Sequence, residues 1–297
     1  MKPSQFDYHV ATSVEHAVAL LQQLGSDARL LAGGQSLLPM MNFRLATPSA
    51  LIDLNGISEM TGIEQQDGTI RIGAMTRQRA LEFSPLVAEK LPLLSEAIRF
   101  VGHLPTRARG TIGGSIAHAD PAAEIPMALL ALDGEVRVKG ASGERSIAAD
   151  SFFQEALTTA LEPDEVLHEV CLPALPHTVG WAVEEFSRRH GDFAITAIAA
   201  VLIPHDDDDE RLEARVVCAG TASRPMRLRA VERALEGDGI SQSNIKQAAM
   251  QAGVGIEPLE DQAASGEFRL HLARVLTERA LLRAAARLNS RRLDHAS

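Results

Sequence analysis

Two stretches of this chain carry residues that could hold a charged ligand through the backbone, Ala32-Gly33-Gly34-Gln35-Ser36 and Thr111-Ile112-Gly113-Gly114-Ser115. Glycine has no Cβ and tolerates positive φ, so its N–H can face a ligand at close range. Two such turns can cradle a diphosphate from two sides. Neither is followed by Gly-Lys-Ser/Thr, and neither has the Gly-x-Gly-x-x-Gly spacing, so the Walker loop and the Rossmann fingerprint are both excluded. Gln35 and Ser36, and Ser115 in the matching place, offer small polar groups to phosphate oxygens. A site without a lysine counter-charge in its motif suits a diphosphate that stays bound rather than a triphosphate that is hydrolysed. A glycine pair alone is ordinarily only a turn; the argument rests on there being two with the same polar followers.

The elements around these motifs follow from periodicity. Val14, Val18, Leu21 and Leu24 recur at helical spacing, with Thr12 or Ser13 as the cap and Gly25 as the stop. Ala28 to Leu31 reads as a strand running into the first glycine turn, and Ala50 to Leu54 as a second strand closed by Asn55-Gly56. Thr69 to Ile72 and Glu135 to Lys139 read as strands, and Arg77 to Phe83 and Leu91 to Phe100 as helices. Asp120-Pro121 sets a further helix start, aspartate as cap and proline at the first position. The two prolines of LPALPHT, residues 172–178, mark a domain boundary. Beyond it Gly180 to Ser187, Phe193 to Ile203 and Arg211 to Gly220 read as three strands, the last two joined by a turn from Asp206 to Glu210. Helices over Arg229–Leu235, Ile245–Val254 and about Glu267–Leu288 complete the chain.

At 297 residues the chain is long enough for two domains. No apolar run approaches the roughly 20 residues that span a bilayer, and the N-terminus lacks the pattern of a secretory signal. A net charge of −10 argues against nucleic acid as the main partner, because phosphate binding needs clustered Lys and Arg. Cys171 and Cys218 are the only cysteines. They cannot supply the four ligands of an iron–sulfur or structural zinc site, and they read as reduced, buried thiols.

Longer segments around the motifs resemble a known family. LLAGGQSLLPMMNFRLATPSALIDLNGI, RIGAMTR, GTIGGSIAHADPAAEIPMALLALDGEV, LTTALEPDEVLHEVCLP, FSRRHGDFAITAIA and GTASRPMRLRAVERALEG together are similar to the FAD-binding medium subunits of the molybdenum hydroxylases, the family of the carbon monoxide dehydrogenase medium subunit and the xanthine dehydrogenase FAD subunit. The resemblance covers nearly the whole chain. It implies an α+β fold: an α/β FAD-binding domain of the vanillyl-alcohol-oxidase-like type over residues 1–176, with subdomains of about 1–57 and 58–176, then a C-terminal domain over 177–290 with a three-stranded antiparallel sheet and helices, and a tail over 291–297.

The resemblance also implies roles for residues. Ala32, Gly33, Gly34, Gln35 and Ser36, with Thr111, Ile112, Gly113, Gly114 and Ser115, would hold the diphosphate of a non-covalent FAD. Glu124 would lie near the adenosine ribose, and Phe193 against the isoalloxazine. Gln35 stands where His is frequent and Phe193 where Tyr is frequent. The implied function is electron transfer within a cytoplasmic complex. A small [2Fe-2S] subunit would deliver electrons from a large molybdopterin subunit, and the FAD would pass them to an external acceptor, in a dimer of heterotrimers. A self-sufficient FAD oxidoreductase of the same fold and a non-catalytic nucleotide-binding module are the alternatives.

Other groups stay open at this level. Asp120 either touches the cofactor or caps a helix, and His103, His118 and His190 show no metal spacing. Arg188-Arg189 either steers an acidic partner, approaches the cofactor or ends a strand in solvent. The arginines of the last helix, Arg269, Arg274, Arg279, Arg283 and Arg287, either dock a partner or form a charged outer face.

Overall fold

The computed structural model describes residues 2–205, 208–236 and 239–296. Its first lobe is a parallel sheet built from β1 (Asp7–Val10), α1 (Val14–Leu24), β2 (Ala28–Leu31), α2 (Leu37–Asn42) and β3 (Ala50–Asp53), with strand order β1-β3-β2. Ser13 caps α1, its hydroxyl accepting from the His16 N–H at 3.1 Å. Gly25 stops the helix at φ 74°, its own N–H donating to the Leu21 carbonyl. β2 therefore feeds the chain straight into Gly33-Gly34. β1 has no sequence signature, because Tyr8 and Val10 are exposed and give no alternation. It is held by pairing to β3 and by the Tyr8 hydroxyl, which donates to Asp53.

The second lobe comprises β4 (Ile63–Gln66), β5 (Thr69–Gly73), α3 (Gln78–Glu82), α4 (Pro85–Lys90), α5 (Pro92–Ile98), α6 (Leu104–Arg109), α7 (Ile112–His118), α8 (Glu124–Ala131), β6 (Glu135–Gly140), β7 (Gly143–Ala148), α9 (Ala149–Phe152), β8 (Phe153–Glu155), β9 (Thr158–Thr159) and β10 (Val166–Pro173). Five of its strands form an antiparallel sheet of order β4-β5-β10-β6-β7. The central strand β10 is absent from the sequence reading. A bulge between Leu167 and Glu169 breaks its alternation where it pairs with β6, so the run VLHEVCL shows neither a clean period of two nor a continuous apolar stretch.

Two sequence expectations are corrected here. The second glycine motif is not a free turn but the first turn of α7, capped by Thr111, whose Oγ1 accepts from the Gly114 N–H at 3.0 Å. The helix expected to start at Asp120-Pro121 starts at Glu124 instead. Asp120 Oδ1 accepts from the Ala122 N–H at 2.9 Å, a tight turn that aspartate makes as readily as a cap.

The C-terminal part contains β11 (Gly180–Phe186), β12 (Thr196–His205), β13 (Asp208–Ala219), β14 (Met226–Arg227), α10 (Arg229–Leu235), α11 (Gln242–Ala249) and α12 (Gly266–Ala296). The three expected strands are present, and the two-residue β14 extends their antiparallel sheet to order β11-β12-β13-β14. Asp208, Asp209 and Glu210 fall in β13; Asp206 and Asp207 of the expected acidic turn lie outside the described residues.

This sheet is buried on both faces. Ala197, Ala199, Val201 and Val217 belong to the core shared with the second lobe, where α5 and α8 pack on the strands. Ile198, Ala200, Leu202 and Val216 belong to a second core with Leu276, Leu281 and Leu288 of α12. Double burial explains why β12 and the end of β13 read as nearly unbroken apolar runs.

Arg269, Arg283, Arg287 and Arg291 of α12 make contacts within the chain, whereas Arg274 and Arg279 are exposed. Arg283 pairs with Glu96 on α5 and with Glu184 on β11, and Arg287 pairs with Glu96 and donates to the Trp181 carbonyl at 2.8 Å. Arg287 and Arg291 also stand over the Trp181 ring, 4.8 and 4.4 Å from its centroid. Through Arg291 the helix continues past the expected end at Leu288, and residues 291–296 are helical rather than a tail. Glu96 thus ties α12 to the second lobe. Glu96→Ala is expected to cost about 1–2 kcal/mol, since the pairs are part-exposed, and to lower the melting temperature of the chain by a few degrees in a thermal scan.

Candidate functional site

The two glycine segments meet. A Cβ built on Gly33 would collide with the Arg109 carbonyl and lie 2.8 Å from the Gly110 Cα, one residue before Thr111. A Cβ on Gly114 would lie 3.4 Å from the Ala32 Cβ. Glycine is thus demanded at Gly33 by contact, and at Gly34 also by conformation, its φ being 71°. The segments form one wall of a cavity of about 990 Å³, at the upper end of the range for small-molecule sites. Both lobes line it, and so do Gly191, Asp192 and Phe193 from the loop between β11 and β12.

The segments contribute differently. Among the described residues, the N–H groups of Gly33, Gly34, Gln35 and Ser36 donate to no protein acceptor, so the first segment presents four unpaired donors. In the second segment the N–H groups are used within the chain: Ile112 donates to the Thr76 carbonyl at 3.1 Å, Gly113 to Ala74 at 2.9 Å, and Gly114 to the Thr111 hydroxyl. Its contribution is a wall without side chains, together with the hydroxyl of Ser115. The N–H groups without a protein acceptor thus lie in the first segment, while those of the second are engaged within the chain.

Of the expected site residues, Ala32, Gly33, Gly34, Gln35, Ser36, Thr111, Gly113, Gly114, Ser115, Glu124 and Phe193 all line the cavity. Ile112 does not: its side chain is buried in the core beside the cavity. The Gln35 side chain is turned onto its own loop, Nε2 donating to the Gly33 carbonyl at 3.1 Å, which braces the turn. Phe193 is 64% exposed, an aromatic face left open at the mouth.

Glu124 is buried and lines the cavity, and the hydrogen bond its carboxyl receives is from its own backbone N–H. Burial pushes this carboxyl up to about 8, with repulsion from Glu185 and Asp120 adding to the effect. Burial likewise raises Glu185, to about 7, and its Oε2 has no partner. A buried carboxyl with a single backbone partner, lining a cavity, has acceptor capacity left for the hydroxyls of a ligand.

The loop that carries Phe193 is fixed from the C-terminal part. Arg188 donates to the carbonyls of Gln262 and Ala263 at 3.0 and 2.8 Å and does not line the cavity. Arg269, buried, donates to the carbonyls of Ile195 and Gly220 at 2.6 Å each. The Gly220 N–H in turn reaches the Pro121 carbonyl at 2.7 Å, joining the sheet to the turn before α8. Sequence reasoning did not find these anchoring roles, because the carbonyls that each arginine meets lie far along the chain.

Open backbone donors on one side, a side-chain-free wall opposite, a buried carboxyl and an exposed aromatic define a flavin-dinucleotide-binding protein of α+β fold. The comparisons agree and are narrower. Residues 4–175 match the model described as FAD binding domain in molybdopterin dehydrogenase, and residues 181–284 that of the CO dehydrogenase flavoprotein C-terminal domain. The chain belongs to this family of FAD-binding medium subunits of molybdenum hydroxylases, and is a subunit of an oxidoreductase.

It is similar to the 6-hydroxypseudooxynicotine dehydrogenase complex subunit alpha of Paenarthrobacter nicotinovorans, 42% identical over 99% of this chain and 100% of that protein. It is also similar to the caffeine dehydrogenase subunit beta of Pseudomonas sp. (strain CBB1), 37% identical over 97% of this chain and 97% of that protein. Among solved structures, a chain of carbon monoxide dehydrogenase from Hydrogenophaga pseudoflava superposes with a TM-score of 0.93 at 41% identity, over 97% of this chain and 99% of that one.

Two outcomes test this geometry. Gly114→Val, whose side chain enters the gap between Thr111 and Ala32, is expected to give a folded chain that retains no FAD on gel filtration, read by flavin absorbance. Glu124 holds a proton in the folded chain up to about 8 but releases it near 4.5 when unfolded. Its contribution to stability is therefore fully present below that lower value and is lost as pH rises towards the upper one. Melting of the apoprotein should fall between about pH 5 and about pH 8, and Glu124→Gln should flatten that fall.

Proposed function

We propose that the chain is the electron-exit subunit of its complex, taking electrons from a [2Fe-2S] subunit and handing them to an external acceptor. The observation that carries this reading is the cavity, which grips at its closed end and opens at Phe193. Bound FAD supplies the ability to accept electrons singly and to release them in pairs. The chain's own residues do the holding. The four free N–H groups of Gly33 to Ser36 and the hydroxyls of Ser36 and Ser115 face the diphosphate, and Glu124 accepts from the adenosine ribose. Phe193 stacks at the ring and leaves an edge reachable from outside.

The two cysteines support the division of labour. Cys171 and Cys218 are buried and unpaired with each other, and burial pushes their thiols up to about 12 and about 11, so neither is a thiolate ligand. The cluster therefore belongs to a small partner subunit and the molybdopterin to a large one, in a dimer of heterotrimers. Free thiols also suit a cytoplasmic complex. Relatives whose printed names refer to substrates as different as caffeine and carbon monoxide share this architecture, so substrate choice lies outside this chain.

The test is anaerobic and spectroscopic. Dithionite is expected to bleach the flavin of the isolated chain, and an acceptor dye to restore its colour. An organic substrate is expected to bleach it only when the iron–sulfur and molybdenum subunits are added. Bleaching of the isolated chain by that substrate would make it a self-sufficient oxidoreductase instead.

A further inference from the structure

The two glycine segments are held at their spacing by groups that do not line the cavity. Asn55, just after β3, donates through Nδ2 to the Ala32 carbonyl at 3.1 Å. The same residue is fixed by Asp53, whose Oδ1 accepts from the Asn55 N–H at 2.9 Å. Tyr8 donates to the other oxygen of Asp53. Asp53 is held below the ordinary carboxylate value: burial opposes this, but the hydrogen bonds from Tyr8 and Asn55 prevail. On the far side, the Arg77 guanidinium donates through Nη2 to Asn55 Oδ1 at 2.6 Å and through Nη1 to the Arg109 carbonyl. Arg109 is the residue whose carbonyl lies against Gly33.

We infer that Asn55 and Arg77 are positioning residues that clip the Ala32–Ser36 and Thr111–Ser115 segments together and so set the grip on the diphosphate of the cofactor. This rests on the FAD reading of the cavity and deepens it. Two physical effects act together. Arg77 is a planar fork whose two arms meet two acceptors on different segments, a geometry that a lysine ammonium does not reproduce. It also places a cation on the Arg109 carbonyl, the one backbone oxygen packed against the first glycine. An unneutralised carbonyl dipole there would repel an incoming phosphate. The counter-charge missing from both motifs thus stands one layer behind them. Neither residue touches the cavity, so the clip acts on the spacing of the walls and leaves the flavin ring's surroundings at Phe193 unaltered.

The experiment uses the full chain with its flavin removed, and Asn55→Ala, Arg77→Lys and the double variant. Dissociation constants for FAD are read by fluorescence, those for ADP by competition, and the midpoint potential of bound flavin by dye titration. Each single variant should weaken FAD and ADP by about tenfold, the scale of one charge-assisted hydrogen bond. The double variant should lose little more than the worse single one, because the two residues act as one unit. The midpoint potential should not move. Asn55 is exposed, so Asn55→Ala reads the clip even where a change at Arg77 impairs folding. Unchanged FAD affinity, a loss for FAD without a loss for ADP, or a shifted potential would overturn the clip. A parent chain that binds no FAD would overturn the cofactor reading itself, which separates the two failures.

Discussion

The structure depends on one close approach, the Arg109 carbonyl seated against the α-carbon of Gly33. No side chain fits at that contact. It brings the end of β2 and the start of α7, two pieces of chain almost eighty residues apart in sequence, into a single wall. Everything else in the first two lobes serves it. The parallel sheet delivers the first segment, and β5 with the turn after it receives the second, through the carbonyls of Ala74 and Thr76. The same approach divides the labour between segments, since the second spends its N–H groups on this docking and the first keeps its own free.

The C-terminal part controls a different region of the cavity. Its sheet packs on α5 and α8, and its arginines reach across element boundaries: Arg188 and Arg269 hold the loop and strand start around Phe193, while Arg283 and Arg287 converge on Glu96. Each donates to backbone carbonyls or a carboxylate, while the buried Nε of Arg269 is left without a protein partner. The mouth of the cavity and its closed end are thus governed by separate parts of the chain.

Much of this was legible beforehand, for identifiable reasons. The glycine motifs stood out because their residue type is itself the physical requirement, and α1 because its cap, period and stop agree. Strand β12 and the end of β13 were found because double burial makes them nearly unbroken apolar runs. What was missed lacked a local signal. β10 is broken by its bulge, β1 presents exposed Tyr8 and Val10, and Asp120 serves a turn with the residue type of a cap. Ile112 sits within a glycine motif but faces the core, a distinction that only the helical start of α7 decides. The raised carboxyl of Glu124 comes first from burial and then from Glu185, sixty-one positions away, and no sequence window shows either.

The doubly covered sheet bears on biosynthesis. Cut free, residues from β11 onward would turn towards water the face formed by Ala197, Ala199, Val201 and Val217, an invitation to aggregate. In the intact polypeptide the earlier lobes leave the ribosome first and fold as units. The late strands then condense on a template already in place, and the order of translation protects a surface that has no other shield.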